Sequence, residues 1–194
     1  MTERTADRVM DTAAELFRRK GYAESSMREL AELLGIRKAT LYHHVQSKEA
    51  ILEWLCIESL RRVTADVREV IEREDEPLRP MIERHLLVAL ADRDMHATML
   101  LESGSLSGER RARVVALRRD YELLVEGVIA AEQREGRLRS DYEARPLTLS
   151  LLNLLNWTIF WYEPQGAMSA ADVARMLASV YLDGAALPVS ARPG

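Results

Sequence analysis

The sequence predicts an all-α fold: a three-helix head containing a helix-turn-helix, joined by a long helix to a larger helical body, about nine helices in all. Three observations point to it. Apolar residues recur at steps of three and four along nearly the whole chain. Nine Gly and six Pro among 194 residues are too few for short strands joined by turns. Several of them (Gly21, Gly35, Pro77, Gly136 and Pro164) fall where a periodic stretch ends.

In the first helix Ala6, Val9, Met10, Ala13, Leu16 and Phe17 form one apolar face. Arg18, Arg19 and Lys20 load its last turn, where cations suit the negative helix end, and Gly21 supplies the left-handed stop. Ser26 and Glu29 have the spacing of a capping box and start a second helix through Leu30, Ala31 and Leu34 to Gly35. A third is expected over Arg37–His44. Ser47 caps a long fourth helix, Lys48 to Glu74, closed by the acidic run Glu72–Glu76 and Pro77. Helices over Leu78–Ala91 and Met95–Ser103 follow, then Gly104–Gly108 as a flexible loop. A long helix over Glu109–Glu135 stops at Gly136; the next, with Pro146 near its first turn, runs to Tyr162. Ser169 caps a last helix to Leu182, and the tail from Pro188 is expected to fray.

Composition narrows the function. Apolar residues at 47% and charged residues at 30% exclude a disordered or fibrous chain. Cys56 stands alone, so no disulfide framework exists and a reducing compartment fits. One Cys and four scattered His build no zinc cluster, and neither a metal nor another cofactor is expected. The opening MTERTADRVM carries charge where a signal peptide is apolar. The greasiest stretch, Leu147–Tyr162, is broken by Ser150, Asn153, Asn156 and Thr158 and falls short of the roughly 20 residues of a membrane span. A cytoplasmic chain with no membrane partner is expected. Net charge is −4, unevenly spread: residues 1–48 hold nine Lys and Arg against seven acids, leaving −6 on the remainder. A basic head on an acidic body suits a chain of which one part meets a polyanion.

The head carries the specific signal. Gly21-Tyr22, Ser25-Ser26-Met27-Arg28-Glu29-Leu30-Ala31, Leu34-Gly35-Ile36-Arg37-Lys38-Ala39-Thr40-Leu41-Tyr42-His43-His44-Val45 and Ser47-Lys48-Glu49 closely resemble the DNA-binding signature of the TetR family of bacterial transcriptional repressors. The resemblance implies residues 1–48 as a helix-turn-helix DNA-binding domain and 49–194 as a ligand-binding and dimerisation domain. A recognition helix places its N-terminal side chains at base edges while its flanks hold phosphates. Arg37 and Lys38 can donate to guanine, Thr40 can reach a base edge or a thymine methyl, and Ala39 permits close approach. By resemblance Tyr42, His43 and Lys48 contact phosphate, and Ser26, Met27 and Arg28 present amides and a cation to another. Read as structure alone, Tyr42 packs between helices, Arg28 is a solvated cation and Met27 is core. Two residues depart from the family pattern: Arg37 where many members carry a capping serine, and Val45 in place of an aromatic residue.

The body resembles the family's ligand-responsive part. The helix ending at Tyr162 is apolar all round, so a second copy is expected to cover one face, with the final helix (Val173, Met176, Leu177, Val180, Tyr181) joining the seam as a homodimer. Met95, Met99, Leu100, Tyr121, Val125, Asn153, Asn156, Trp157 and Phe160 are the candidate effector contacts; Met95, Met99 and Leu100 read equally well as core. Asn156 to Gly166 resembles the branch regulating fatty-acid, steroid and aromatic-acid breakdown, several members of which sense acyl-CoA thioesters. Arg110, Arg111, Arg113, Arg118 and Arg119 could hold the phosphates of such a ligand. No catalytic set is found: Leu106 centres Gly104–Gly108 where a nucleophile elbow needs serine, and Glu102, His85 and His96 lack partners in sequence. The expected protein is a regulator, not an enzyme, that binds a palindromic double-stranded operator and is released by a small hydrophobic effector. The alternatives are a dimeric helical interaction module and a small helical enzyme.

Overall fold

The computed structural model describes residues 3–184, with side chains from Asp7 onward. Expectations for the side chains of Arg4 and Ala6 and for the tail from Pro188 lie outside them. Nine α-helices are found among the described residues: α1 (Glu3–Lys20), α2 (Met27–Leu34), α3 (Lys38–Tyr42), α4 (Lys48–Arg73), α5 (Leu78–Ala91), α6 (Arg93–Glu102), α7 (Gly108–Arg134), α8 (Ala144–Trp161) and α9 (Ala170–Asp183). A 3₁₀ turn, Ser103–Ser105, stands between α6 and α7. No described helix is long and apolar enough to cross a membrane.

Most ends follow from the residues named above. Gly35 sits at φ +69° and closes α2 with paired bonds, its N–H to Glu32 O at 3.1 Å and that of Ile36 to Ala31 O at 3.0 Å. This is the Schellman arrangement, available to glycine without steric cost. Ser47 Oγ accepts the Ala50 N–H at 3.0 Å and starts α4. One start differs from expectation. Ser26 Oγ accepts the Glu29 N–H at 3.1 Å, but the Glu29 carboxylate takes the Lys20 ammonium at 2.7 Å, so the expected box at α2 is half made. The complete capping box is at α9, between Ser169 and Asp172.

Two further expectations are corrected. The third helix does not run to His44. Leu41 O accepts from both His44 N (2.9 Å) and Val45 N (3.1 Å), a tightened exit that turns Val45 into the core. Gly104–Gly108 is not a free loop: Leu106 is buried, and the Ser107 N–H and hydroxyl both donate to the Glu49 carboxylate, at 2.9 and 2.8 Å. Those two donors hold the Glu49 carboxyl below its ordinary pKa.

The chain packs as two compact units. The first comprises residues up to Arg62 with Ala91–Tyr121. Its core joins Val9, Leu16 and Phe17 of α1, Leu30 and Leu34 of α2, Leu41, and Ile51, Leu52 and Leu55 of α4 with Met95 and Met99 of α6. Cys56 lies inside it; burial pushes the thiol up to about 12, so it serves as a small apolar filler. His96 is a core residue too, its Nδ1 3.0 Å from Ser59 Oγ. The second unit comprises Val63–Leu90 and residues from Glu122 onward. In it α8 turns Leu151, Leu155 and Ile159 inward, and α9 contributes Val173 and Leu177. Tyr181 Oη donates to Leu147 O at 2.9 Å between these two helices.

Because nothing lies within 4 Å of a Cβ built at Gly35, its replacement costs backbone strain alone. Gly35→Ala should lower unfolding stability by ~1 kcal/mol, from the left-handed penalty, with Gly35→Asn losing less. Urea denaturation checks both; an unchanged midpoint for the alanine variant would refute the assignment of strain.

Candidate nucleic-acid interface

At five residues α3 is too short to hold itself together. It is held by Leu41, fully buried, with Ile36 half-buried before it and Val45 buried after it. Arg37, Lys38, Ala39, Thr40, Tyr42, His43 and His44 are all exposed. Arg37 is the N-cap and makes no side-chain cap bond, as its lack of an acceptor predicts. The outward end of α3 therefore presents two cations, a methyl and a hydroxyl. Lys38 Nζ stands 5.8 Å from the Tyr42 ring centroid, one turn on, which gives the long side chain a preferred direction.

At the start of α2, Ser26 and Arg28 are exposed and the Met27 side chain is core, leaving Met27 only its amide, among the first-turn N–H groups that lack intrahelical acceptors. Arg28 Nε donates to Glu32 at 2.8 Å across one turn, an exposed pair that a phosphate can compete with.

The charges of the head divide into two sets. Arg18 pairs with Asp94 at 2.7 Å, Lys20 with Glu29 and Arg28 with Glu32. Arg8 donates to Leu34 O at 2.9 Å, and the Lys48 ammonium to Tyr22 O at 2.7 Å and Ser25 O at 2.8 Å. Arg37 and Lys38 make no ion pair among the described residues. Among those residues, the head's cations without a carboxylate or carbonyl partner are thus the two that open α3. Sequence reasoning missed the inward bonds of Arg8 and Lys48, because neither spacing nor periodicity signals a side chain that meets backbone 26 residues away.

The comparisons with known proteins agree with this geometry. Residues 9–55 match the profile of the bacterial regulatory proteins of the tetR family, and residues 57–185 match the tetracyclin repressor-like C-terminal domain. The chain belongs to the TetR family. It is 27% identical over 186 residues to the HTH-type transcriptional repressor KstR2 of Rhodococcus jostii, covering 93% of this chain and 90% of that one. PfmR, a TetR family transcriptional regulator of Thermus thermophilus, superposes with a TM-score of 0.85 at 34% identity, over 93% of this chain and 100% of that chain. AibR, crystallised with isovaleryl coenzyme A and operator DNA, shares the fold with a TM-score of 0.83 at 24% identity, over 91% and 97%. The protein is accordingly a transcriptional regulator of the TetR family.

The candidate effector contacts fall in different settings. Met95 and Met99 are packed in the core that carries the TetR head, and Leu100 is half-buried against it. Tyr121 is buried, and burial drives its phenol well above the ordinary range. Val125 is buried in the second unit, whereas Asn156 is half-buried. Asn153, Trp157 and Phe160 face outward on α8, with Trp157 and Phe160 in ring contact at 4.6 Å. Of the α7 arginines that could hold phosphate, Arg110 and Arg113 are committed to Glu53, Arg113 Nε to one carboxylate oxygen at 2.8 Å and Arg110 to the other. Glu102 accepts the Tyr22 N–H at 3.1 Å, a structural bond between α6 and the turn before α2. No group of three or more His, Cys, Asp or Glu that could hold a metal occurs among the described residues.

Glu53 is nearly buried and answers two guanidiniums that are themselves partly solvated. Replacing Glu53 by Gln leaves both arginines with a neutral acceptor and should cost ~1–2 kcal/mol, below the full loss for a buried pair because water reaches both partners. Chemical denaturation measures it; a loss under about 0.3 kcal/mol would show that the pair is a solvated surface contact.

Proposed function

We propose that this regulator is a homodimeric repressor in which residues 1–48 read a palindromic double-stranded operator and residues 49–194 dimerise and sense a small hydrophobic effector. The observation that carries the reading is the outward end of α3. Arg37, Lys38, Ala39 and Thr40 are exposed together over the buried Leu41, and among the described residues the two cations have no carboxylate partner. Set into a major groove, Arg37 and Lys38 donate to guanine O6 and N7 while Thr40 meets a neighbouring base edge. Tyr42 and His43 flank them toward the phosphates, and Ser26, Arg28 and the Met27 amide hold the backbone from the start of α2. Such contacts need double-stranded DNA and no bond making, in keeping with a cytoplasmic switch rather than an enzyme.

Dimerisation is supported by the outer faces of the last two helices. Leu149, Trp157, Phe160 and Trp161 of α8 and Met176 and Val180 of α9 are exposed, Trp157 at 66%. Apolar side chains gathered on one face in this way mark a contact surface, and a second copy presents the matching face under two-fold symmetry. Two heads so joined meet half-sites about one helical turn (~34–36 Å) or a multiple apart.

The positions to probe for effector contact are Met95, Met99, Leu100 and Tyr121 on the first unit and Val125, Asn153, Asn156, Trp157 and Phe160 on the second. Acyl-CoA thioesters are the first class to test, with Arg111, Arg118 and Arg119 the exposed α7 cations for their phosphates. An effector releases DNA only by binding the DNA-incompetent arrangement more tightly.

Selection of bound fragments from random-sequence DNA tests the reading, followed by challenge with acyl-CoA thioesters and their free acids. The expected result is an enriched inverted repeat from which one hydrophobic ligand releases the protein. No enriched sequence at low salt would favour a dimeric interaction module instead. In the same assay Trp157→Glu, which sets a charge in each copy of the seam, should sediment as a monomer and lose at least about 100-fold in operator affinity, as expected when two half-sites no longer act together. A dimer unaffected by the substitution would place the seam elsewhere.

A further inference from the structure

We infer that Lys48 is a positioning residue: its ammonium pins the Tyr22–Ser25 turn to the start of α4 and so sets where α2, and with it α3, stands. This rests on the reading that α3 meets DNA. Lys48 opens α4, where the positive end of the helix disfavours a cation. Its stem carries the charge away from that end and into a turn whose carbonyls converge. Nζ donates to Tyr22 O at 2.7 Å and Ser25 O at 2.8 Å, with Ala23 O at 3.4 Å. An ammonium has three donors, and three carbonyls face it. The Tyr22 ring covers the same group at 4.2 Å from its centroid, and that ring meets Phe17 edge-on at 5.2 Å within the core. A phosphate could engage Lys48 only by displacing one of these partners.

The clamp acts on the element that matters. Ser25 O and the Ser26 cap lie immediately before α2, so a shift of this turn moves the first-turn amides of α2 directly. The other end of α2 is held in the same manner, by Arg8 donating to Leu34 O at 2.9 Å. Between them the two cations fix both ends of the helix against which α3 packs. Lys38 is the contrast: it is exposed, its amine lies 5.8 Å from the Tyr42 ring centroid, and it makes no ion pair among the described residues.

The chain has three lysines, Lys20, Lys38 and Lys48, so trace acylation of the wild-type protein read by mass spectrometry resolves each one. Without DNA, Lys48 should label at least about tenfold more slowly than Lys38, the cost of opening charge-assisted hydrogen bonds. With the selected operator, Lys38 should become protected while the Lys48 rate changes little. Lys48 labelling as fast as Lys38 in the free protein, then becoming protected by operator, would overturn the proposal and make it a phosphate contact. If no DNA protects Lys38, the operator reading fails, and the DNA-free rate of Lys48 still decides the clamp. As a second measurement, Lys48→Met should bind at least tenfold more weakly with an unchanged salt slope. A slope smaller by about 0.9 per head, the signature of one lost phosphate contact, would overturn it.

Discussion

A helix of five residues has almost no stability of its own, and the proposed reading surface is such a helix. Its placement rests on the burial of Leu41 in a core to which five other helices contribute: α1, α2, α4, α6 and α7. That one contact explains several features of the first unit. The α2 exit must be sharp, so Gly35 takes a left-handed conformation; the α3 exit must turn Val45 inward, so Leu41 O accepts twice. In the same compact unit α6 packs on α1. A head of about fifty residues has little apolar interior of its own, and Met95 and Met99 of α6 add to the core it shares.

Electrostatics then sorts the side chains this frame presents. The head's modest basic excess says little by itself, because most of its cations are spent within the protein. Arg18 and Lys20 tie α1 to α6 and α2, while Arg8 donates to the last carbonyl of α2 and Lys48 to carbonyls of the turn before it. Glu49, Glu53 and Glu102 anchor the α6–α7 connection to the same unit through Ser107, Arg110, Arg113 and Tyr22. Among the described residues, the head's cations left outward without a carboxylate or carbonyl partner are the pair opening α3. In a protein of net charge −4 a local arrangement of this kind is required for attraction to a polyanion, since the whole-molecule field opposes it.

Helix identity and most helix ends were legible in the sequence, because a 3.6-residue apolar period and a glycine or serine at the boundary are local signals. Gly21, Gly35, Ser47 and Ser169 act where they were expected. The errors came where tertiary partners outweighed local preference. Glu29 completes an ion pair with Lys20 rather than its own capping box, and Leu106 and Ser107 anchor a segment whose composition reads as loose. The helix apolar all round was legible as a face needing cover, and the structure leaves Trp157, Phe160 and Trp161 of that helix uncovered in the single chain. The ligand positions were the least legible. Met95 and Met99 could not be told from core by residue type, and Arg110 and Arg113 could not be known to face Glu53 from 57 and 60 residues away.

The central claim is that Arg37, Lys38 and Thr40 read bases from a helix fixed by Leu41. Its most direct test is the affinity of wild type and Lys38→Ala for every single-base variant of the selected operator at one salt concentration. The substitution should flatten base preference at one symmetric position in each half-site, by about 1–3 kcal/mol, and leave discrimination elsewhere intact. A uniform loss of affinity across all variants would make Lys38 a backbone contact and contradict the assignment of α3 as the reading element.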